Sequence, residues 1–342
     1  MKKTTRGYTL IELMVALLLG LILVGAALGV YLSGRQAGRY SDALGRYQET
    51  VRYAQAVISE ELRMAGFFGC FQVPVSGTPD VSIGGTKDPV NVSPIFNGYS
   101  RPIYGVEGAG GPPHKEGTDV IQVQHASRQG GWLNADTAEK AGQTTINGSP
   151  FLVAGDLAVI SNCSRASVFN VLNVTADAPH VIGHNSLGAL YLARNADSAQ
   201  PSQVFGFLNR FLYVRREITE EGPRDVLTLR TMHGDGGFLD EDIAEGIEDL
   251  QFWYGYDAAL PNSENQLTFW TADQVPDTNE AWRRVLSVRV CMLSVSSDNG
   301  LATTAQTYTD CQGNIINAED TRIRFPITFT VNLRNRVQGW RL

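Results

Sequence analysis

The sequence predicts an α+β protein, in which one long N-terminal helix packs on an antiparallel, β-rich globular head. Three observations support this fold class. Residues 13–32 form an uncharged, mainly apolar run, apolar residues recur at helical spacing from 40 to 62, and apolar and polar residues alternate in later segments. We expect four segments: a leader at 1–7, the long helix at 8–66, a loop-rich connection at 67–117 and the head at 118–342.

The apolar run is long enough to cross a membrane. Its 20 residues span the ~30 Å hydrocarbon layer at about 1.5 Å per residue. We therefore expect a transmembrane part at 8–32 and an amphipathic part at 35–65. Lys2, Lys3 and Arg6 precede the run, which predicts a cytoplasmic N-terminus, a single pass through the inner membrane and a periplasmic head. An ordinary secretory signal fits less well, because its apolar core has only ~7–15 residues and a small-x-small cleavage site follows it.

One carboxylate interrupts this apolar segment. Glu12 is the only charged residue between Tyr8 and Leu32. An unpaired carboxylate in a membrane costs a few kcal/mol, so Glu12 is a candidate functional residue. Gly7 is the small residue directly before the segment. Cleavage after Gly7 would create an α-amino group at Tyr8, four residues before Glu12.

The second half of the helix carries an apolar stripe. Its members recur at intervals of three or four residues, which is the helical period: Tyr40, Leu44, Tyr47, Val51, Ala54, Ile58 and Leu62. We interpret the stripe as the face that packs on the head. Gly66 and Gly69 are stop signals, so the helix is predicted to run from about Thr9 to Met64.

The head is predicted to consist mainly of strands. The segments with strand character are 120–123, 168–174, 211–215, 226–230, 288–292 and 327–333. The apolar segment 151–160 is broken by Gly155 and Asp156, which suggests a hairpin. A short helix is expected to begin at Asp240, because acidic residues precede apolar residues at helical spacing there.

Four cysteines are present, and none has C-x-x-C spacing: Cys70, Cys163, Cys291 and Cys311. In an exported head, two disulfides are the expected use. The sequence alone leaves three pairings open. We favour Cys70–Cys163, which would attach the end of the helix to the head, and Cys291–Cys311, which would close a polar loop of about 20 residues.

Patterns typical of enzymes, cofactor sites and metal sites were not found, so no catalytic, cofactor or metal residue is assigned. His180 and His184 are four residues apart, but Pro and Gly neighbours indicate a loop. An acidic cluster lies at Asp235, Asp240, Glu241, Asp242 and Glu245. Carboxylates at this density could hold Ca²⁺, but the EF-hand pattern is missing, so the expected role is a solvated helix start. The net charge of −7 argues against direct binding of nucleic acid.

The residues RGYTLIELMVALLLGLIL resemble the N-terminal signature of type IV pilins and type II secretion pseudopilins. Gly7, Tyr8 and Glu12 match that signature position by position, although the family usually has Phe where this chain has Tyr8. The resemblance implies cleavage between Gly7 and Tyr8 by a prepilin peptidase, N-methylation of Tyr8 and a role of Glu12 in assembly. It implies a structural subunit rather than an enzyme.

Within that class, several segments are similar to the PilW family of minor pilins: LRMAGFFGC, GDLAVISNC, IEDLQFWYGYD and RRVLSVRVCMLS. This resemblance implies a subunit that initiates type IV pilus assembly at the fibre tip, in a fibre used for twitching motility, adhesion and DNA uptake. The partners it implies are other minor pilins, the major pilin, the inner-membrane assembly platform, membrane lipid and a large tip adhesin. Two alternatives stay open: a minor pseudopilin of type II secretion, and a membrane-anchored adhesin whose head binds a ligand.

Overall fold

A computed structural model of the protein describes residues 9–73, 81–84, 101–108, 110–134, 142–147, 151–163, 166–184, 202–220, 222–258, 267–297, 299–302 and 304–336. Helix α1 (Leu10–Met64) is one continuous element of 55 residues. Thr9 caps its N-terminus, since the Thr9 side chain accepts a hydrogen bond from the Glu12 N–H. The predicted helix is confirmed.

The apolar stripe of α1 was predicted to contact the head from Tyr40 onward, but the contact begins further along the helix. Val51, Ala54, Ile58 and Leu62 are buried, whereas Tyr40 is exposed. Burial begins at Ala43 because the strands of the head first reach the helix there.

The larger sheet contains ten strands. They are β1 (Val81–Gly84), β2 (Ile103–Val106), β3 (Val120–Leu133), β4 (Gln143–Asn147), β5 (Leu157–Ser161), β6 (Ala166–Val174), β7 (His180–His184), β8 (Gln203–Thr219), β9 (Gly222–Met232) and β10 (Phe238–Glu245). Strands β8, β5, β6, β7, β4 and β3 pair in that order, and β3 also pairs with β8, so these six strands form a closed ring. Strands β9 and β10 extend the sheet beyond β8, β2 lies outside β3, and β1 pairs with β6 in parallel.

A second, antiparallel sheet has four strands in the order β12-β11-β13-β16. Its strands are β11 (Ile247–Asp257), β12 (Leu267–Trp270), β13 (Val285–Val295) and β16 (Arg324–Asn332). The short helix α2 (Asn279–Arg283) precedes β13, the hairpin of β14 (Thr307–Thr309) and β15 (Ile315–Asn317) precedes β16, and a 3-10 turn (Arg334–Arg336) follows β16. The α+β fold class is confirmed.

The main hydrophobic core lies where α1 meets both sheets. Val51, Ala54, Ile58 and Leu62 of α1 pack with apolar side chains of β3, β8, β9, β11, β13 and β16. Of the four aromatic residues of β11, Phe252, Tyr254 and Tyr256 belong to this core, and Trp253 packs on the other face of the sheet. A separate cluster, which includes Phe169, Ile160 and Ile182, joins strands of the ring.

Three local predictions were wrong. The segment expected to begin a helix at Asp240 is strand β10, which pairs with β9. Its acidic side chains lie opposite basic residues of neighbouring strands, and this long-range pairing outweighs the helical pattern. Residues 151–160 do not form a hairpin, because Gly155 (φ 95) and Asp156 make a turn that leads into β5 alone. His180 and His184 lie on strand β7 instead of in a loop.

Candidate assembly site

The first half of α1 is an exposed apolar rod. Leu10, Leu21 and Val30 are 78%, 73% and 75% exposed, and the most apolar stretch of the helix contacts nothing in the head. In the part of the chain that the structure describes, α1 is the one helix long and apolar enough to cross a membrane. Exposed apolar surface of this extent requires lipid or the helices of other subunits.

Glu12 lies in the first turn of this rod. Its N–H bonds to the side chain and the carbonyl of Thr9, at 3.4 and 3.1 Å. No ion pair of its carboxylate is found among the described residues, and the side chain is exposed. Gly7 and Tyr8, the predicted cleavage site, lie outside the described residues.

The other end of α1 is held by the C-terminal part of the chain. The Asn335 side-chain amide lies 3.1, 3.4 and 3.4 Å from the carbonyl oxygens of Arg63, Met64 and Ala65. These carbonyls have no partner within the helix, so Asn335 acts as a C-terminal cap from the far end of the sequence. The C-terminal end of α1 is therefore attached to the head by the segment that follows β16.

A buried ionic cluster lies beneath the same end of the helix. Glu61 is 6% exposed, and its two carboxylate oxygens contact His125 Nε2 at 3.1 Å and the Arg210 guanidinium. Burial alone would raise the Glu61 pKa, but hydrogen bonds and charge attraction from His125 and Arg210 outweigh burial, so the pKa is lowered. Glu61 is thus ionised and attaches α1 to β3 and β8. This cluster was not predicted from the sequence, in which its only local signal is an acid at the flank of the apolar stripe.

Both disulfides follow the pairing that we favoured. Cys70 pairs with Cys163 just after the helix, and Cys291 pairs with Cys311 on the outer face of the second sheet. Gly66 and Gly69 have φ values of 75° and 71°, so the chain turns sharply between the helix and Cys70.

The segment before β3 connects the two sheets. The Asp119 N–H donates to the Leu250 carbonyl, and the Asp119 carboxylate accepts from the Phe252 N–H, both at 2.9 Å. Burial, together with the nearby Glu107 charge, raises the Asp119 pKa to about 7, although the backbone hydrogen bonds that its carboxylate accepts favour the ionised form. This segment covers the edge of β11 that β12 leaves open.

Carboxylates of the acidic cluster form ion pairs with arginines of neighbouring strands. Asp240 binds Arg230 at 2.6 Å, and Asp242 binds Arg215 at 2.6 Å. These contacts replace the solvated helix start that the sequence suggested. Within the described ranges, no group of three or more His, Cys, Asp or Glu side chains is arranged to hold a metal ion.

Comparison with protein families matches two parts of the chain. Residues 212–335 match the family described as Type IV Pilus-assembly protein W, PilW, and residues 2–28 match the prokaryotic N-terminal methylation motif. Searches of curated proteins and of solved structures found no match. The first match covers part of β8 through the 3-10 turn, and the second includes the start of the apolar rod. Pilin-family domains are structural. The chain is therefore similar to PilW over residues 212–335 and carries the methylation motif typical of prepilins, and the apolar helix that begins in this motif indicates membrane anchoring.

Proposed function

We propose that this protein is a minor pilin that helps to initiate type IV pilus assembly and is located at the fibre tip. The observation that carries the proposal is the continuity of α1, which joins an exposed apolar half to a half docked in the head. Such a helix is stable in a bilayer, and it exchanges lipid for the apolar helices of other subunits when the fibre forms. The match to PilW favours the pilus over a secretion fibre.

Processing would take place at the cytoplasmic face of the inner membrane. A prepilin peptidase would remove residues 1–7, leaving Tyr8 as the first residue, N-methylated, while the head remains in the periplasm. Mass spectrometry of the mature chain should find Tyr8 at the N-terminus. A mature chain that begins beyond Leu32 would exclude this processing.

Glu12 would act in assembly rather than in folding. A lone carboxylate in lipid is unfavourable by a few kcal/mol. Next to the α-amino group of Tyr8 on a neighbouring subunit, both charges are compensated. This pairing would favour insertion into the fibre and set the axial register of the subunit.

The experiment compares Glu12→Val with wild type. We expect normal export and a normal head, but less co-purification of the major and minor pilins and fewer surface pili, because removing one partner of a desolvated pair costs about 3–5 kcal/mol. Glu220→Val, which removes an exposed carboxylate at the β8–β9 turn, is the matched control and should assemble like wild type. Wild-type recovery of partner pilins with Glu12→Val would rule out this role.

A further inference from the structure

A groove runs along the flank of α1 near its C-terminal end. Its lining includes Arg52 and Arg63 of α1, Arg334 of the 3-10 turn, and the apolar side chains of Met64 and Phe67, and it encloses about 700 Å³. Arg52 and Arg63 lie on the same side of the helix, because they are 11 residues, or about three turns, apart.

This groove has an excess of positive charge. Glu60 also lines it, but the Glu60 carboxylate is bound to Arg128 at 2.8 Å. Across the described ranges, no carboxylate lies within ion-pair distance of Arg52, Arg63 or Arg334. In a chain of net charge −7, three such guanidinium groups form a local surface complementary to carboxylates.

An open strand edge lies next to the groove. Leu333 donates to the Leu286 carbonyl and Ser296 donates to the Ile323 carbonyl, both at 2.9 Å, so odd-numbered residues of this stretch bond to β13. In an antiparallel pair the intervening residues direct their backbone groups to the other side. The N–H and C=O groups of Thr328, Thr330 and Asn332 therefore point away from β13, and no described strand pairs with them.

Only the downstream part of this edge is open. At its upstream end, the Gln306 side chain bonds to both the N–H and the C=O of Arg324, at 2.7 and 2.8 Å, and Pro326 has no N–H to offer. The open part ends at Asn332, two residues before Arg334 of the groove. The free backbone groups and the guanidinium groups thus form one continuous surface.

We propose that this surface binds an extended, acidic segment of another pilin-like subunit, which adds a strand to β16 and directs carboxylates toward Arg52, Arg63 and Arg334. A strand places alternate side chains roughly 7 Å apart, so three alternate acids match the roughly 16 Å between the two helix arginines. Only the identity of the partner rests on the proposed pilus function. The chemistry of the surface does not.

The test uses the full chain in nanodiscs and two labelled 11-residue peptides, one of alternating Thr and Glu and one of alternating Thr and Lys. Fluorescence anisotropy should show binding of the Thr–Glu peptide that weakens with added salt. The variant Arg52→Gln/Arg63→Gln/Arg334→Gln should lower its affinity at least about tenfold. Thr330→Pro, which removes one open N–H, should also lower it, while Thr330→Ala should leave it near wild type.

Arg289→Gln is the matched control for charge, because Arg289 is exposed on the opposite face of the sheet over Phe269. Hydrogen exchange on wild type adds a measurement that needs no variant: the peptide should protect the amides of Thr328, Thr330 and Asn332. Equal binding of the Thr–Lys peptide, wild-type affinity of the triple variant, or unprotected amides would overturn the proposal. Because the peptides bind outside any fibre, failure here leaves the outcome for Glu12→Val unaffected, and the converse also holds.

Discussion

Glu61 attaches the long helix to the head through charge. It is buried among apolar residues of α1, and its carboxylate is compensated by His125 and Arg210 from two different strands. The His125 Nδ1 atom also lies 2.8 Å from the Ala126 carbonyl oxygen, so both ring nitrogens face acceptors. Removal of Glu61 would leave Arg210 without its counter-charge and His125 Nε2 without its hydrogen-bond partner in a mostly buried site.

We expect Glu61→Ala to lower the free energy of unfolding by about 3 kcal/mol, the lower end for breaking a buried pair. Denaturant unfolding of the full chain in detergent measures the change. Glu60→Ala is the control, because the Glu60–Arg128 pair is 54% and 70% exposed and should contribute at most about 1 kcal/mol. The folded-state pKa of Glu61 is lowered, so its contribution is present above the ordinary pKa and lost as the pH falls through the folded value. Equal losses for the two variants would contradict this assignment.

Asp119 has the opposite dependence on pH. Burial raises its pKa from 3.8 to about 7, so the folded state holds a proton that the unfolded chain releases at lower pH. The groups that face it are Glu107, Asp249 and Tyr254, and the two acids also disfavour its ionisation. Stability conferred by protonated Asp119 is therefore lost as the pH rises from about 4 to about 7.

Asp119→Asn should flatten this part of the stability profile. The amide oxygen of Asn can still accept from the Phe252 N–H, and Asn has no charge to desolvate. Urea unfolding at several pH values between 4 and 8 tests the expectation, with the exposed Asp177→Asn as the control. An unchanged slope for Asp119→Asn would show that another group causes the pH dependence.

At the scale of elements, β2 and β11 approach too closely for any side chain at Gly105. A Cβ there would lie 2.0 Å from the hydroxyl oxygen of Tyr254, which is fully buried and packs edge-on against Trp282 at 5.0 Å. Tyr254 cannot move away without disturbing the core.

Gly105→Ala should therefore reduce the melting temperature, with a loss of about 1–3 kcal/mol from overpacking. Gly45→Ala on α1 is the matched control, because its Cβ would meet no atom within 4 Å. That change should stabilise the protein by up to about 1 kcal/mol, since Ala has the higher helix propensity. Thermal unfolding of both variants separates packing from backbone effects, and a neutral Gly105→Ala would mean that β2 can shift.

The elements that sequence analysis predicted are those set by local pattern. Helix α1 follows from its own periodicity, and β13 and β16 follow from their alternation. Strand β10 was mistaken for a helix because Ile243 and Ile247 are spaced like a helical face, whereas the strand depends on distant Arg215 and Arg230. The ring depends on β3 meeting β8, about 80 residues later, and no local pattern encodes that contact.

In the candidate site, too, the features visible in a local sequence pattern were predicted, and the features created by distant contacts were not. Glu12 was found because a charge in an apolar run is visible in the sequence. The cysteine pairing was favoured on loop size and position, and the structure has that pairing. Glu61 and the arginine groove were missed, because their meaning depends on which side chains the fold brings together.

At the scale of the whole molecule, two architectural units share one helix. The residues that match PilW, 212–335, contain β9 to β16 and most of the docking surface for α1. Strands β3 to β7 and the first half of β8, which close the ring, lie before the matched part. Most of the ring thus lies outside the part of the head that the family match covers.

The Cys70–Cys163 bond determines how this molecule responds to tension. Tension carried along the backbone of α1 reaches Cys70 six residues after the helix ends and passes directly to Cys163 through the sulfur–sulfur bond. The bond encloses 93 positions of sequence, and at about 3.4 Å per extended residue roughly 300 Å of contour length cannot be drawn out. Strands β1 to β5 lie within that enclosed stretch. Under tension, this half of the head would therefore be nearly inextensible, even where its hydrogen bonds had broken.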